Sequence, residues 1–222
     1  MPDIGEEAGR EIGREIGQEL VFYTNPQSRG QTVRWMLEEV GAPYRTEILD
    51  YGTTMKAPDY LAINPMGKVP ALTHRGVVVT EVAAICAYLA DAFPEAQLAP
   101  LVGDAARGPY YRWLFFAAAP LEEASTNKAM GFVAPKERER SVGYGTLDDV
   151  LDTLERALRG RAHVAGDRFS AADLHLASKL GFLMRFDMIE KRAVFEDYVG
   201  LHCGRPAFRR AAEIDAAALG PT

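Results

Sequence analysis

Sequence patterns typical of β-strands occur only before residue 81 of this chain of 222 residues. Four short strand candidates lie at 20–23, 44–49, 69–72 and 77–79, and the first is an apolar run bounded by turn-forming residues. Helical spacing of apolar residues separates or follows them at 28–40, 57–63 and 81–92. This order predicts one small mixed sheet, and only helical patterns follow it. The predicted fold class is therefore an α/β thioredoxin-like N-terminal domain plus an all-α helical C-terminal domain.

Composition divides the chain into four segments. Residues 1–19 contain a polar, glycine-rich near-repeat and are predicted to form a flexible N-terminal extension. Residues 20–95 form the predicted thioredoxin-like domain, residues 96–104 a linker, and residues 105–222 the helical domain. Within the last segment we expect helices near 105–130, 136–159, 170–187, 190–202 and 206–218.

The charge balance argues against nucleic acid as a partner. The formal net charge is −6 and the pI is near 5.3, whereas a nucleic-acid binder needs a basic patch or stripe. No stretch approaches the ~18 consecutive apolar residues of a membrane span, so we expect no membrane association.

The two cysteines and four histidines suggest neither a redox pair nor a metal cluster. Cys86 and Cys203 are far apart in sequence, and we interpret them as reduced thiols in the cytoplasm. The histidines have no metal-ligand spacing, so no metal is predicted.

The segment NPMGKVPAL at 64–72 contains a proline at the start of a strand. Such a proline marks either an edge position or a special peptide bond. If the Val69–Pro70 bond is cis, the Val69 backbone can offer its N–H and C=O to an extended peptide ligand. An ordinary proline at a strand start is the alternative.

Two helix starts could bind charged groups. Thr80 is a candidate N-cap, and the acid Glu81 beside it could pair with an ammonium while the helix N–H groups donate to a carboxylate. A capped helix with an acid in its first turn is the structural alternative. In the loop 23–30, Ser28 is either an N-cap or a hydroxyl placed at the positive end of a helix dipole.

These features together resemble one family. YLAINPMGKVPAL at 60–72, EVAAICAYL at 81–89 and SRGQTVRWMLEEVG at 28–41 are similar to the glutathione-binding half of glutathione S-transferases, in particular bacterial, serine-type-like members. The resemblance is strong over residues 20–95 and more diffuse in the helical half. It implies that glutathione is the cosubstrate.

The resemblance also implies roles for individual residues. A cis Pro70 would let the Val69 backbone pair with the cysteine unit of glutathione, and Glu81 would bind its γ-glutamyl end. Val82 stands where most relatives have a serine that contacts the γ-glutamyl carboxylate. Lys68 and Lys56 would meet the glycine carboxylate.

Two hydroxyls are candidates for activating the thiol. Tyr23 lies where tyrosine-type members keep their catalytic tyrosine. Ser28 begins the first helix as in many bacterial members, and the loop resembles theirs more closely. Ser28 is therefore favoured over Tyr23.

The electrophile is expected to bind against the helical domain. Tyr110, Trp113 and Phe116 belong to an aromatic run, and Arg185 lies on a later helix. Core packing is the alternative for each of the aromatic residues. Asp173, three residues after Ser170, is predicted to be a structural cap.

The resemblance implies an enzyme that conjugates the glutathione thiolate to a small hydrophobic electrophile, as in detoxification. It also implies a homodimer. Two alternatives stay open: a glutathione-dependent reductase or peroxidase, and a non-catalytic module that binds glutathione or another ligand.

Overall fold

A computed structural model describes residues 19–219. The predicted extension at 1–19 therefore lies outside the described residues except for Glu19. The elements of the first half are β1 (Val21–Thr24), α1 (Gly30–Val40), β2 (Arg45–Ile48), α2 (Pro58–Ile63), β3 (Ala71–His74), β4 (Val77–Thr80) and α3 (Val82–Ala92), with short 3₁₀ turns at Thr54–Lys56 and Pro94–Ala96.

The four strands form one mixed sheet in the order β2-β1-β3-β4. β1 pairs with β2 in parallel, and β3 is antiparallel to both β1 and β4. Arg75 and Gly76 both have positive φ, which matches the right-handed twist of a two-residue hairpin between β3 and β4. The thioredoxin-like prediction for this half is confirmed.

The second half is helical. Its helices are α4 (Arg107–Ala118), α5 (Pro120–Ala129), α6 (Leu147–Leu158), α7 (Ala171–Arg185), α8 (Ala193–Cys203) and α9 (Pro206–Ala218), with a 3₁₀ segment at Lys136–Ser141. None of the helices within residues 19–219 has the length and apolar character that crossing a membrane requires.

Two of the expected helices were wrong in extent. The helix predicted at 105–130 is broken at Ala119, because Pro120 cannot donate a backbone hydrogen bond and starts α5 at its first position. The helix predicted at 136–159 starts only at Leu147. There Thr146 and Asp149 form a capping box, which defines the N-terminus.

Helix α1 lies between the sheet and the helical half. Val33, Met36 and Leu37 are fully buried in the main core, which both halves share. On its other side α1 packs against α9. There the Arg34 Nε donates to Asp215 Oδ1 at 2.6 Å, and both side chains are buried. Two further ion pairs, Arg205–Glu39 and Arg210–Glu38, join the same two helices.

We expect the Asp215→Ala substitution to lower the free energy of unfolding by about 3–5 kcal/mol, because it leaves the buried Arg34 without its carboxylate. Glu213 lies on the same helix but is exposed, so Glu213→Ala should change stability by about 0.5 kcal/mol or less. Chemical denaturation of both variants measures the difference. Equal effects would contradict a stabilising role for the pair.

Candidate functional site

The loop before β3 is held in place by side chains from α2 and its C-terminal end. The Tyr60 hydroxyl and the Asn64 amide both donate to the Lys68 carbonyl, at 2.6 and 2.8 Å. The Val69–Pro70 peptide bond is cis, as expected from the resemblance. Within residues 19–219, neither the backbone N–H nor the C=O of Val69 has a hydrogen-bond partner. Val69 can therefore offer both groups to an extended ligand.

Glu81 connects β4 to α3 with a backbone conformation unusual for its residue type. Its φ is 65°, a region that costs a non-glycine residue energy, and such residues cluster at functional sites. Glu81 itself occupies the N-cap position and no side chain caps the helix, so the prediction of Thr80 as the N-cap was wrong. Thr80 instead ends β4, paired with Ala71. The first N–H groups of α3 remain available to an anion.

These two loops form one wall of a cavity of about 300 Å³ between the two halves of the chain. The sheet-side wall contains Val69, Pro70, Glu81 and Val82, and the opposite wall is helical. The other residues that line the cavity are Arg29, Thr32, Ala83, Ala118, Glu122, His175 and Lys179. The structure thus brings four of the predicted glutathione contacts together. An extended ligand with charged ends would meet both backbone and charged groups there.

Ser28 lines a second cavity, of about 310 Å³, on the other side of Arg29. Its hydroxyl donates to the Asn25 carbonyl at 2.7 Å and accepts from the Gly30 N–H at 2.9 Å. The Ser28 side chain therefore supports the start of α1, although the helix itself begins only at Gly30. Arg185, predicted for the electrophile, is exposed and also lines this second cavity.

Tyr23 lies on β1, opposite Ala71 of β3. Its ring contacts that of Tyr60 with a centroid distance of 5.7 Å, and both Tyr23 and Val69 pack against the small cluster of Met55, Tyr60 and Ala71. The Tyr23 hydroxyl makes no hydrogen bond to any residue in the described part of the chain. It is therefore available as a donor near the Val69 loop.

The two predicted lysines are exposed and close to the same loop. Lys56 Nζ donates to the Met66 carbonyl at 3.0 Å. Lys68 directly precedes Val69 and presents its side chain to solvent. Both cations lie outside the cavity lining, at positions from which they could reach the end of a ligand that extends beyond it.

The aromatic residues predicted for the electrophile lie elsewhere. Tyr110 and Trp113 are buried in the main core, and Phe116 is half-buried against it. None of the three lines either of the two cavities described above. Their positions agree with core packing, the alternative given for each of them. The aromatic run is continuous, so its sequence could not distinguish core packing from ligand binding.

Four ionisable cavity residues were not found from the sequence: Arg29, Glu122, His175 and Lys179. His175 and Lys179 are one helical turn apart on α7, a spacing that places both on the same face. A lysine and a histidine at this spacing in an otherwise apolar stretch were the available signal. Burial and the charge of Arg29 lower the pKa of Lys179 to about 7 and that of His175 to about 4.

Asp173 is a structural cap, as predicted. Its oxygens accept from the Ser170 N–H and hydroxyl, the Val164 N–H and the Tyr198 hydroxyl. The ligand atoms of His163, Asp173 and His202 lie within 4.8 Å of one another, so the fold brings together residues that are far apart in sequence. With four donors already on its carboxylate, Asp173 is better explained by capping than by metal binding.

The comparisons of this chain with known proteins all identify the same family. Residues 28–92 match the description "Glutathione S-transferase, N-terminal domain" and residues 110–201 match "Glutathione S-transferase, C-terminal domain". The glutathione S-transferase GST-4.5 of Xanthomonas campestris is 30% identical over 162 residues, 69% of this chain and 78% of its own. GstA of Escherichia coli O157:H7 is 35% identical over 123 residues, which span 55% of this chain and 60% of that relative.

Solved structures agree with the sequence relatives. A glutathione transferase of Methylococcus capsulatus superposes with a TM-score of 0.74 at 30% identity, covering 89% of this chain and 99% of its own. A sphingomonad glutathione S-transferase complexed with glutathione gives a TM-score of 0.72 at 29% identity, covering 88% and 98%.

We expect Gly30→Ala to destabilise the loop that carries Ser28. A Cβ at Gly30 would lie 1.9 Å from Thr24 Oγ1 and 2.9 Å from Ser28 Oγ, so it would displace buried atoms. The expected loss in the free energy of unfolding is about 1–3 kcal/mol. Gly200→Ala, in the middle of α8 with open space around it, should be neutral or stabilising. Denaturation curves of both variants test this.

Proposed function

Because the chain belongs to the glutathione S-transferase family, we propose that it conjugates the glutathione thiolate to a small electrophile bound in the cavity between its two halves. The observation that carries the proposal is the meeting of two loops at that cavity. One presents the unpartnered Val69 backbone beside cis Pro70, and the other presents Glu81 at the start of α3.

Each part of glutathione has a complementary group on the sheet side, either in the cavity wall or outside the cavity. We propose that Glu81 pairs with the γ-glutamyl ammonium and that the backbone N–H of Val82 or Ala83 binds the α-carboxylate, since Val82 has no hydroxyl to do so. The Val69 backbone would align the cysteine unit. Lys56 and Lys68 would meet the glycine carboxylate outside the cavity.

The contacts of the two candidate hydroxyls support Tyr23 as the thiol activator, although Ser28 was favoured from the sequence. The Ser28 hydroxyl has one proton to donate, and it is donated to the Asn25 carbonyl. Among residues 19–219 the Tyr23 hydroxyl has no hydrogen-bond partner, and its ring packs on the same cluster as Val69. A hydrogen bond from Tyr23 to sulfur would favour the thiolate over the thiol.

The reaction itself needs little from the protein beyond thiolate formation and positioning. The thiol loses its proton to solvent, and the sulfur electron pair forms a C–S bond to the electrophilic carbon. With an aryl halide, the C–halogen bond breaks and halide leaves with its electron pair. Holding sulfur and carbon together in the cavity should contribute at least as much to the acceleration as thiolate formation does.

The wider biological setting belongs to the same proposal. A broad reaction with small electrophiles would serve detoxification. Both cysteines are free, which is consistent with a cytoplasmic protein. Homodimerisation is supported by apolar side chains that are exposed in the single chain, among them Val77 and Val78 on the edge strand and Phe115 on α4.

The first experiment is retention on immobilised glutathione, followed by conjugation of 1-chloro-2,4-dinitrobenzene. We expect retention and turnover by the unaltered protein. Glu81→Ala should weaken glutathione binding by about 10-fold or more, since it removes a charged hydrogen-bond partner. Glu95→Ala, which changes an acid on the 3₁₀ turn Pro94–Ala96, is the matched control. Retention without turnover would indicate a binding module instead.

We expect Tyr23→Phe to raise the pKa of the enzyme-bound thiol by about 1–2 units, because it removes one hydrogen bond to an ionised sulfur. Ser28→Ala should leave that pKa nearly unchanged and lower stability. Ultraviolet absorbance of the thiolate as a function of pH measures both variants. The reverse pattern would restore Ser28 as the activator.

A further inference from the structure

The helical wall of the cavity carries an imbalance of charge. Arg29, Glu122, His175 and Lys179 form a cluster that we call the cavity floor. The Glu122 carboxylate is 3.5 Å from Arg29 and also forms an ion pair with Lys179, whose side chain is only 5% exposed. One carboxylate can balance only one of the two cations. The cavity floor therefore has an excess of one positive charge whenever Lys179 is protonated.

Among residues 19–219, no second carboxylate forms an ion pair with Arg29 or Lys179, and the other acid of the lining, Glu81, lies on the sheet-side wall. The Arg29 guanidinium lies 3.6 Å from the centroid of the Phe182 ring, an attractive contact that leaves its charge in place. The hydroxyl of Thr32, which also lines the cavity, shares a hydrogen bond of 2.6 Å with the Ser178 hydroxyl. A buried charge without a counterion is costly, so the cavity floor is complementary to an anion.

His175 gives an independent indication of a ligand. Both of its ring nitrogens are buried and have no hydrogen-bond partner among residues 19–219. The ring lines the same cavity as Lys179, one helical turn away. Its lowered pKa of about 4 makes it neutral at physiological pH, with one N–H to donate. Unpaired buried polar groups of this kind are rare, and one that lines a cavity points to a polar group on the ligand.

We propose that the cavity floor binds a carboxylate of the electrophilic substrate, with Lys179 as its ion-pair partner and His175 as a hydrogen-bond donor. The inference rests on the proposed transferase function and narrows its substrate class. The expected substrate is then an electrophile that carries a carboxylate instead of a neutral hydrophobic one. Glutathione's own carboxylates are assigned to α3 and to Lys56 and Lys68, all on the sheet side, so they do not account for the cavity floor.

The test uses two electrophiles that differ in one group. 4-Chloro-3,5-dinitrobenzoate carries the carboxylate, and its primary amide is neutral and of similar shape. In both, glutathione sulfur replaces chloride at the same ring carbon. We expect the protein to favour the carboxylate in kcat/KM by about 10-fold or more, after correction for the uncatalysed rates. Equal values, or a preference for the amide, would overturn the proposal.

Variants assign the preference to Lys179. Lys179→Met should remove the preference for the carboxylate while keeping the rate with the amide within about threefold. Lys179→Arg retains the charge and should restore at least part of the preference. Lys128→Met removes an exposed lysine from α5 and serves as the control. A fall in both rates with an unchanged ratio would mean that Lys179 acts on folding or on the thiol, and would overturn the proposal.

The pH dependence provides a readout that a structural lysine would not give. Burial and, to a smaller extent, the charge of Arg29 lower the pKa of Lys179 to about 7. Because half of the ammonium is lost at that pKa and the rest above it, the carboxylate preference should be full well below pH 7, about half lost near pH 7 and absent well above it. His175 stays neutral over this range, and Arg29, Glu122 and Glu81 complete the charged groups around the cavity.

A binding arm keeps this proposal separate from the transferase proposal. Isothermal titration measures the affinities of the benzoate and of its amide in the absence of glutathione. Both compounds are titrated into the unaltered protein and into the Lys179→Met variant. Tighter binding of the benzoate that depends on Lys179 supports the cavity floor even if no conjugation occurs. Failure to bind glutathione, with this dependence intact, would reject only the transferase. Equal affinities of both compounds would reject the cavity floor as a carboxylate site.

Discussion

The Asp173 carboxylate organises much of the helical half. It is fully buried and accepts four hydrogen bonds, two from Ser170 at the start of α7 and two from Val164 and Tyr198. A buried carboxylate is tolerated only when its lone pairs are satisfied. These bonds therefore fix where α7 begins and tie it to the segment before it and to α8. The direction in which His175 and Lys179 face depends on that start.

The cavity results from two rigid elements facing each other. Helix α7 contacts α1, α3, α4 and α8, so it is held on several sides. The loop of Val69 is held by Tyr60 and Asn64 through the Lys68 carbonyl. The neutral backbone groups of Val69 and the acid Glu81 thus face the cavity floor, which contains the cations Arg29 and Lys179. A bipolar ligand on the first wall and an acidic partner on the second would be complementary to this arrangement.

Local patterns predicted what local chemistry determines. The order of strands and helices along the chain and the capping of α7 by Asp173 could be read from neighbouring residues. Those residues left the Val69–Pro70 bond open, and only the family resemblance implied that it is cis. The break at Ala119 and the late start of α6 also had local causes, Pro120 and Thr146, whose positions inside longer helical patterns concealed them. The cavity floor could not be predicted in the same way. Arg29, Glu122 and Lys179 come from three separate elements, and only tertiary packing brings them together.

The ion pairs between α1 and α9 make the two halves of the chain mutually dependent. Arg34 of the first half needs Asp215 of the second, and Glu39 likewise pairs with Arg205. A recombinant that joins residues 19–96 of this chain to the helical half of a relative would inherit Arg34 buried without a carboxylate unless the relative has one at the matching position. Exchange of whole domains between relatives is therefore restricted to pairs that already match across this interface.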